Sequence, residues 1–452
     1  MTAHADTPQP QLRWRDAIAI VVGIVIGAGI FKTPSMVAGA TADAGWAITA
    51  WVAGALISLA GALCYAELAS AYRHAGGDYH FLTRAYGRDA SFLYAWARAT
   101  VINTGAIALL AFVFGDYVST VLPLGTASGA IWAAVIVTVL TAVNIAGLRA
   151  SARTQNWLTL VEVTGLAAIV VAGIAASPAL SPATVSAGAA FSSTPSLGVF
   201  GLAMVFVLLT YGGWSEAAYL SAELQGGKRA IMPVLLSSIA IIAIAYLAVN
   251  LALLHGLGLA GLAASKAPGS DVMNVAFGTV GGQLLALFVA VSALTSINAT
   301  MIVGARTNYA MGRDWPALRF MGGWHAARGV PVASFVVQWI IAMALVGFGA
   351  LQHDGFEAMV EFTAPVFWTF LLLVGLALFV LRAKDGAAER PFRVPLFPLT
   401  PILFCAACAW LAWSSVVYAA SRNAIRISLT VMALGVAAWL LTRLHARYRA
   451  RT

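Results

Sequence analysis

Apolar segments about 20 residues long recur along almost the whole chain, and they constrain its fold more than any other feature. Such a segment is long enough to cross a bilayer as a helix. Of the 452 residues, 61% are hydrophobic and 10% are charged, whereas soluble proteins carry roughly 25% charged residues. We therefore predict an all-α integral membrane protein in contact with the lipid bilayer. The twelve candidate spans run over 15–38, 46–71, 90–119, 129–147, 154–176, 197–223, 230–254, 282–310, 331–350, 357–381, 398–419 and 425–443.

Positive charges are distributed unevenly between the loops. With both termini inside, 21 of the 26 Lys and Arg residues lie in inner segments and three in outer segments; Lys32 and Arg98 lie within spans. This bias follows the positive-inside rule, so we expect a plasma (inner) membrane protein with cytoplasmic tails at 1–14 and 444–452. The net charge of +9 forms no basic patch of the kind that binds nucleic acid. Residues up to Gln11 lack a signal-peptide pattern, so the first span is expected to be retained.

The residues that bind metals or act as nucleophiles are scattered. Cys64, Cys405 and Cys408 lie in apolar segments, and packing is the favoured interpretation although the last two have the spacing of a redox pair. The histidines lie at loops and termini. No nucleophile with a base or metal set is visible at membrane depth, no nucleotide-binding loop is present, and no polar stripe marks a channel. We therefore expect no enzyme, no cofactor and no metal.

The first span contains the run Gly27-Ala28-Gly29-Ile30-Phe31, followed by Pro34. Two glycines and a proline at mid-bilayer depth favour a helix that stops and starts again. Backbone exposed in this way is tolerated only where it lines a cavity or is buried in protein. The alternative is close packing through Gly23 and Gly27, a small-xxx-small pattern.

The sixth span carries a second interruption, Tyr211-Gly212-Gly213-Trp214-Ser215-Glu216. Interrupted segments at corresponding positions of two halves indicate a transporter built from inverted repeats. We therefore predict a five-plus-five inverted repeat with discontinuous helices 1 and 6. The repeats would cover 15–176 and 197–381, and two extra helices would follow at 398–443. The segment 255–281 would be an outer re-entrant or interfacial helix.

An interrupted helix offers two opposite ends at one place. The N-terminus of one half presents free N–H groups, and the C-terminus of the other half presents free carbonyls. A carboxylate can bind the first and an ammonium the second. The pattern therefore predicts binding of a zwitterionic amino acid without a charged side chain from the protein.

Several motifs together resemble the amino acid–polyamine–organocation (APC) superfamily of permeases, most of all its bacterial and L-type amino acid transporters. The resemblance covers nearly the whole chain and implies alternating access without ATP. Its motifs are GAGIF before Pro34, CYAELASAYRHAGGDYHFLTRAYG at 64–87, FVFGDY at 112–117, YGGW at 211–214 before Glu223, and SINATMIVGARTNYAMGRD at 296–314.

The resemblance also implies roles for individual residues. The backbone of Ala28 and Gly29 would hold the substrate carboxylate. The carbonyls of Val25, Leu209 and Gly212 would hold the substrate ammonium.

Other residues of the two interruptions would complete the substrate-binding set. Tyr211, Trp214 and Ser215 would border the side-chain pocket or act as gates, and Gly27, Ile30 and Gly213 belong to the same set.

The chain departs from the family pattern at three positions. Many relatives have a lysine in the fifth span that stands in for a sodium ion, and Glu162 occupies the aligned position here. Lys32 follows GAGIF where relatives have a small or apolar residue. Ala28 replaces a serine common in eukaryotic relatives.

Acidic residues within spans leave several roles open. Glu162 lies near the midplane, where a carboxylate must be protonated, paired or hydrated; it would couple protons to transport, contact a substrate cation or pair structurally. Glu216 is either a helix cap or a substrate contact. Structural pairing is favoured for the other four, and Glu67 could also close an inner gate with a basic loop residue. Those four are Glu67, Asp116, Glu223 and Glu361.

We expect a secondary transporter of L-amino acids, with proton coupling and exchange both open. The alternative is a polyamine or cationic amino acid transporter that uses Glu162 or Glu216. The sequence does not predict the preferred side chain or the oligomeric state.

Overall fold

The chain folds into helices throughout the part that the computed structural model describes, which is 13–72, 74, 77–147, 152–176, 191, 194–216, 224–225, 231–325, 328–421 and 425–449. The predicted second half of span six, including Glu223, lies outside this part. The helices are α1 (Trp14–Val25), α2 (Thr33–Thr41), α3 (Ala44–Ala71), α4 (Gly77–Tyr86), α5 (Arg88–Ala97), α6 (Asn103–Ser119), α7 (Ser128–Ile145), α8 (Ala152–Ala175), α9 (Leu197–Thr210), α10 (Ile231–Ala264), α11 (Pro268–Asp314), α12 (Val332–Ala350), α13 (Gly355–Lys384), α14 (Leu399–Ser421) and α15 (Ile425–Arg449).

Nine helices in the described part are long and apolar enough to cross a membrane. One of them combines α5 and α6 across a π-helical turn, Arg98–Ile102. Two shorter apolar helices, Leu160–Ala175 and Leu197–Thr210, add to these. The prediction of a multi-pass, all-helical membrane protein is therefore confirmed, whereas the count of twelve spans and the inverted repeat stay predictions.

The segment predicted as a re-entrant or interfacial helix is helical and sharply bent. Gly258 in α10 and Gly278 in α11 have φ angles of 66° and 73°. Such left-handed angles suit glycine, which has no Cβ to clash. Short helical pieces therefore run from each bend toward the α10–α11 connection around Lys266.

Local sequence signals explain where several helices begin. The Asp43 side chain accepts a hydrogen bond from the Trp46 N–H at 3.0 Å and caps α3. Asp354 caps α13 in the same way, through the Glu357 N–H at 3.0 Å. An N-cap carboxylate satisfies an N–H that has no partner within its helix. Pro34 lies in the first turn of α2, where its missing N–H costs nothing.

Candidate substrate site at two helix breaks

The first break covers residues 26–31 and separates α1 from α2. The chain is extended at Gly27, with φ −84° and ψ −176°, and Ala28–Phe31 form a single 3₁₀ turn. Within the described residues, the Gly27 N–H has no main-chain acceptor. The N–H groups at the start of a helical turn have no partner within that turn, and Ala28 and Gly29 occupy this position in the first break.

The second break covers residues 211–216 and follows α9. Gly213 has a φ of 102°, an angle that other residues rarely adopt, and a 3₁₀ turn begins at Trp214. The Gly212 N–H donates to the Leu209 carbonyl at 3.1 Å. The predicted interruption of the first span is thus present between α1 and α2. In the sixth span α9 ends at the second glycine run as predicted, and the restart after Glu216 stays a prediction because 217–223 lie outside the described residues.

The residue that precedes the second break contacts the first break. A Cβ built on Gly29 would lie 3.5 Å from Thr210 Oγ1. The hydroxyls of Thr33 and Thr210 are 2.6 Å apart and share a hydrogen bond. The C-terminal end of α9 therefore packs directly against the first break, so a small ligand could touch both.

Tyr246 of α10 links the helix ends that border the two breaks. Its hydroxyl lies 2.7 Å from the Val25 carbonyl and 3.2 Å from the Thr210 carbonyl, within hydrogen-bond distance of both. A carbonyl has two lone pairs, so this bond orients the Val25 oxygen and leaves it able to accept from a ligand. The Leu209 carbonyl, also predicted to hold an ammonium, already accepts from Gly212.

Aromatic rings surround the second break. Tyr211 is buried against Trp51 and Tyr246, with ring centroids 5.9 and 5.0 Å away. Trp214 packs edge-on against Tyr65 of α3 at 5.1 Å and against Phe404 of α14 at 6.3 Å. Both predicted pocket residues are therefore held by neighbouring helices.

A small cavity of about 10 Å³ lies beside the second break, between α3, α9, α13 and α14. Its walls are largely aliphatic and aromatic and carry no charge. Two buried polar atoms, Ser58 Oγ and Trp368 Nε1, have no hydrogen-bond partner among the described residues. The lining residues are Ile57, Ser58, Leu208, Gly212, Gly213, Trp214, Ser215, Phe367, Trp368, Leu371 and Phe404.

Glu162 of α8 is buried, with 1% of its surface exposed. Its Oε1 accepts hydrogen bonds from Ser292 at 3.0 Å and Thr295 at 3.1 Å, both on α11. Its Oε2 has no partner in the described part of the chain. The helix of Glu162, α8, packs against α10, the helix that carries Tyr246.

Glu67 of α3 is almost fully buried at the end of the bundle predicted to face the cytoplasm. Arg382 binds both of its oxygens, at 2.7 and 2.5 Å, and the Val394 N–H donates at 2.7 Å. Arg390 lies 3.6 Å away. These contacts name the basic partners that the sequence left open.

The remaining predicted acids have different surroundings. Asp116 forms an ion pair with Lys32 at 2.9 Å, as favoured from the sequence. Glu361 is 7% exposed, and Glu216 ends the 3₁₀ turn of the second break.

Within the described residues no group of three His, Cys, Asp or Glu could hold a metal, and the three cysteines are free and buried.

Sequence reasoning did not identify the hydroxyls that brace the breaks. Tyr246 and Thr210 touch the breaks directly, and the Tyr117 hydroxyl donates to the Phe31 carbonyl at 2.7 Å. A tyrosine inside an apolar span is a usable signal, because a buried phenol needs a hydrogen-bond partner. The carbonyl that Tyr117 binds is 86 residues away in sequence, and the Val25 carbonyl that Tyr246 binds is 221 residues away. No local sequence pattern encodes these pairings.

Comparisons with known proteins identify the family. A model of the amino acid permease family matches residues 12–437. The chain belongs to the amino acid permease family. Permeases of this family are transporters, so the expectation that the chain is not an enzyme is confirmed, as is the resemblance to the APC superfamily.

Individual permeases resemble the chain over most of their length. The b(0,+)-type amino acid transporter 1 of Mus musculus is 27% identical over 87% of this chain and 81% of the relative. The serine/threonine exchanger SteT of Bacillus subtilis is 26% identical over 89% of this chain and 90% of the relative. The cystine/glutamate transporter of Homo sapiens is 27% identical over 87% of this chain and 78% of the relative.

Proposed function

We propose that this permease moves L-amino acids across the plasma membrane by alternating access, without ATP. The observation that carries the proposal is the meeting of two interrupted helices, with Gly29 against Thr210. A zwitterion needs one group of N–H donors and one group of carbonyl acceptors a few ångströms apart. The two breaks supply both.

The first break would bind the part that all amino acids share. Its free N–H groups at Ala28 and Gly29 would hold the substrate carboxylate, and the Val25 carbonyl, oriented by Tyr246, would accept from the ammonium. The second break would face the side chain. The uncharged lining beside Trp214 favours a neutral side chain, because an unpaired charge there would lose its hydration. The cavity has room for about one water molecule, so it would widen when a side chain enters.

Alternating access would follow from two repeats of opposite orientation, 15–176 and 197–381, with both termini in the cytoplasm. The matched positions of the breaks and the positive-inside bias support this arrangement. Helices 398–443 would lie outside the repeat pair.

Glu162 would couple protons to transport. It is buried, two hydroxyls bind one of its oxygens, and its second oxygen has no partner among the described residues. A carboxylate in this position is costly unless it takes up a proton. The packing of α8 against α10, which carries Tyr246, offers a route by which protonation would alter the first break. Exchange without protons is the other mechanism.

A polyamine or cationic amino acid transporter is the second candidate, with Glu162 or Glu216 as the counter-charge. The buried carboxyl of Glu162 supports this second candidate only if the cationic substrate reaches α8. The buried ammonium of Lys32, directly after the first break, opposes a di-cation at the same place.

An uptake assay in proteoliposomes tests the proposal. All twenty amino acids and putrescine are offered as labelled substrates, with and without a proton gradient. We expect saturable uptake of neutral amino acids and none of putrescine. Uptake of putrescine alone would support the second candidate, and counterflow without a proton effect would support exchange.

A further inference from the structure

Lys32 is fully buried, yet it carries a charge directly after the first break. Its Nζ lies 2.9 Å from Asp116 Oδ2 and 3.4 Å from Asp354 Oδ2, and it donates to the Lys266 carbonyl at 3.3 Å. Of the three N–H donors of an ammonium, two form hydrogen bonds here, to Asp116 and to the Lys266 carbonyl, and Asp354 lies within ion-pair distance. We call Lys32, Asp116 and Asp354 the outer cluster.

The members of the outer cluster come from separate parts of the fold. Lys32 leads into α2, Asp116 lies in α6, and Asp354 begins α13. The Lys266 carbonyl belongs to the connection between α10 and α11. Four segments, far apart in sequence, are therefore tied together by one side chain.

Exposure differs sharply within the outer cluster. The side chain of Lys32 is 0% exposed, whereas those of Asp116 and Asp354 are 24% and 16% exposed. The carboxylates thus reach solvent at the end of the bundle that the proposed orientation places outside, and the ammonium closes the gap beneath them. Next to the outer cluster in sequence, the Tyr117 hydroxyl donates to the Phe31 carbonyl at 2.7 Å, which ties α6 to the first break as well.

We propose that the outer cluster is an ionic latch that closes the external end of the substrate path. This proposal rests on the proposed transport function and its orientation. Buried ion pairs are costly to separate while water is excluded, because the freed charge has no partner. Water that enters an opened vestibule would replace the lost partners, so the cluster has two stable arrangements, closed and dry or open and hydrated.

The latch also accounts for how Asp354 is used. Its Oδ1 caps α13 through the Glu357 N–H, and its Oδ2 faces Lys32. The cap would keep the carboxylate in place when the ammonium moves away. Opening would therefore break the contacts of Lys32 without unwinding the start of α13.

Thiol accessibility tests the latch without requiring transport. Ser270 of α11 is 2% exposed, and its hydroxyl has no partner in the described structure, so Ser270→Cys is a mild reporter. A membrane-impermeant thiol reagent is added outside right-side-out vesicles. We expect slow labelling of the reporter alone and labelling about tenfold faster with Lys32→Met, a shift typical of coupled conformational equilibria.

Lys266→Met is the matched control, because the hydrogen bond of Lys266 to the cluster comes from its main-chain oxygen, which the substitution keeps. It should leave the labelling rate unchanged. Equal rates for Lys32→Met and Lys266→Met would overturn the latch. If labelling changes but no amino acid is transported, the latch stands and the proposed function fails. If amino acids are transported but labelling does not change, the latch fails and the proposed function stands.

Two further variants distinguish opening from unfolding. Ser334→Cys places a thiol at a fully buried position at the opposite end of the bundle, and in detergent its labelling should stay slow with Lys32→Met. The pair Lys32→Met and Asp116→Asn removes both charges together and avoids leaving Asp116 without its ammonium, so it should remain monodisperse and label as fast as Lys32→Met. Fast labelling of both reporters would indicate unfolding and overturn the latch.

Discussion

The two helix breaks differ in what encloses them. Ala28 and Ile30 of the first break are 0% exposed, and tyrosines on other helices bind the carbonyls of Val25 and Phe31. The second break contains the left-handed Gly213 and borders a cavity. In the proposed function, the first break would therefore be a fixed backbone site, and the second would be the place where substrates of different shape are distinguished.

The largest effect is expected where a side chain would fill the junction of the two breaks. A Cβ on Gly29 would lie 3.5 Å from Thr210, an ordinary contact, but the γ-methyl groups of a valine would project further. Gly29→Val should reduce uptake of every substrate about 100-fold, since overpacking costs roughly 1–3 kcal/mol and also blocks the N–H groups. Initial uptake rates in proteoliposomes measure this.

Gly29→Ala is the matched control and should retain most of the uptake. Normal uptake by Gly29→Val would mean that substrate does not bind at the junction of the two breaks. The assignment of the first break as a backbone site would then be wrong.

The next effect concerns the hydroxyl that holds both helix ends. Tyr246→Phe removes its hydrogen bonds to the Val25 and Thr210 carbonyls. Leaving buried acceptors unpaired costs about 1–3 kcal/mol, so KM should rise about tenfold for all substrates alike. Tyr309→Phe, at a partly exposed tyrosine of α11, is the control. A change in KM for some side chains only would assign Tyr246 to selectivity and contradict a shared backbone site.

A smaller effect is expected from the buried carboxyl of Glu162 in α8. Glu162→Gln keeps the shape and should abolish the stimulation of uptake by a proton gradient, about fivefold or less, while exchange continues. Accumulation that still depends fully on the gradient would remove the coupling role.

His80 of α4 provides the control for that pH experiment. Burial, with His74 and Arg84 nearby, lowers the pKa of His80 to about 4. The imidazole is therefore neutral from pH 5.5 to 8.5, and His80→Gln should leave the pH profile of uptake unchanged in that range.

The smallest effect should arise at the cavity beside the second break. Trp368→Phe removes an indole N–H that has no partner among the described residues, and a single hydrogen bond contributes about 1 kcal/mol. The ratio of KM values for a hydroxylated and an aliphatic substrate should change about fivefold, whereas KM for glycine should not. Competition assays measure these ratios, and an equal change for glycine would show that the cavity does not select side chains.

The sequence predicts the helices and both breaks well, because these are encoded locally. Apolar length specifies a span, and the glycines at 27, 29, 212 and 213 mark where α1 and α9 end. The proline at position 34 marks the restart within the first turn of α2.

The sequence does not predict which side chains support the breaks. Lys32 has no local explanation, since its partners Asp116 and Asp354 are 84 and 322 positions further along the chain. Tyr246 reaches Val25 across 221 residues. Such pairings depend on how the helices pack, and a pattern within one helix carries no information about them.

The central claim is that bare main-chain groups at the two breaks hold an amino acid backbone. A cryo-electron microscopy map of the protein with a transported amino acid tests it most directly. We predict the substrate carboxylate within hydrogen-bond distance of the Ala28 and Gly29 N–H groups, and its ammonium beside the Val25 carbonyl. Continuous α-helical hydrogen bonding through 25–31 and 209–215, with substrate elsewhere, would contradict the account.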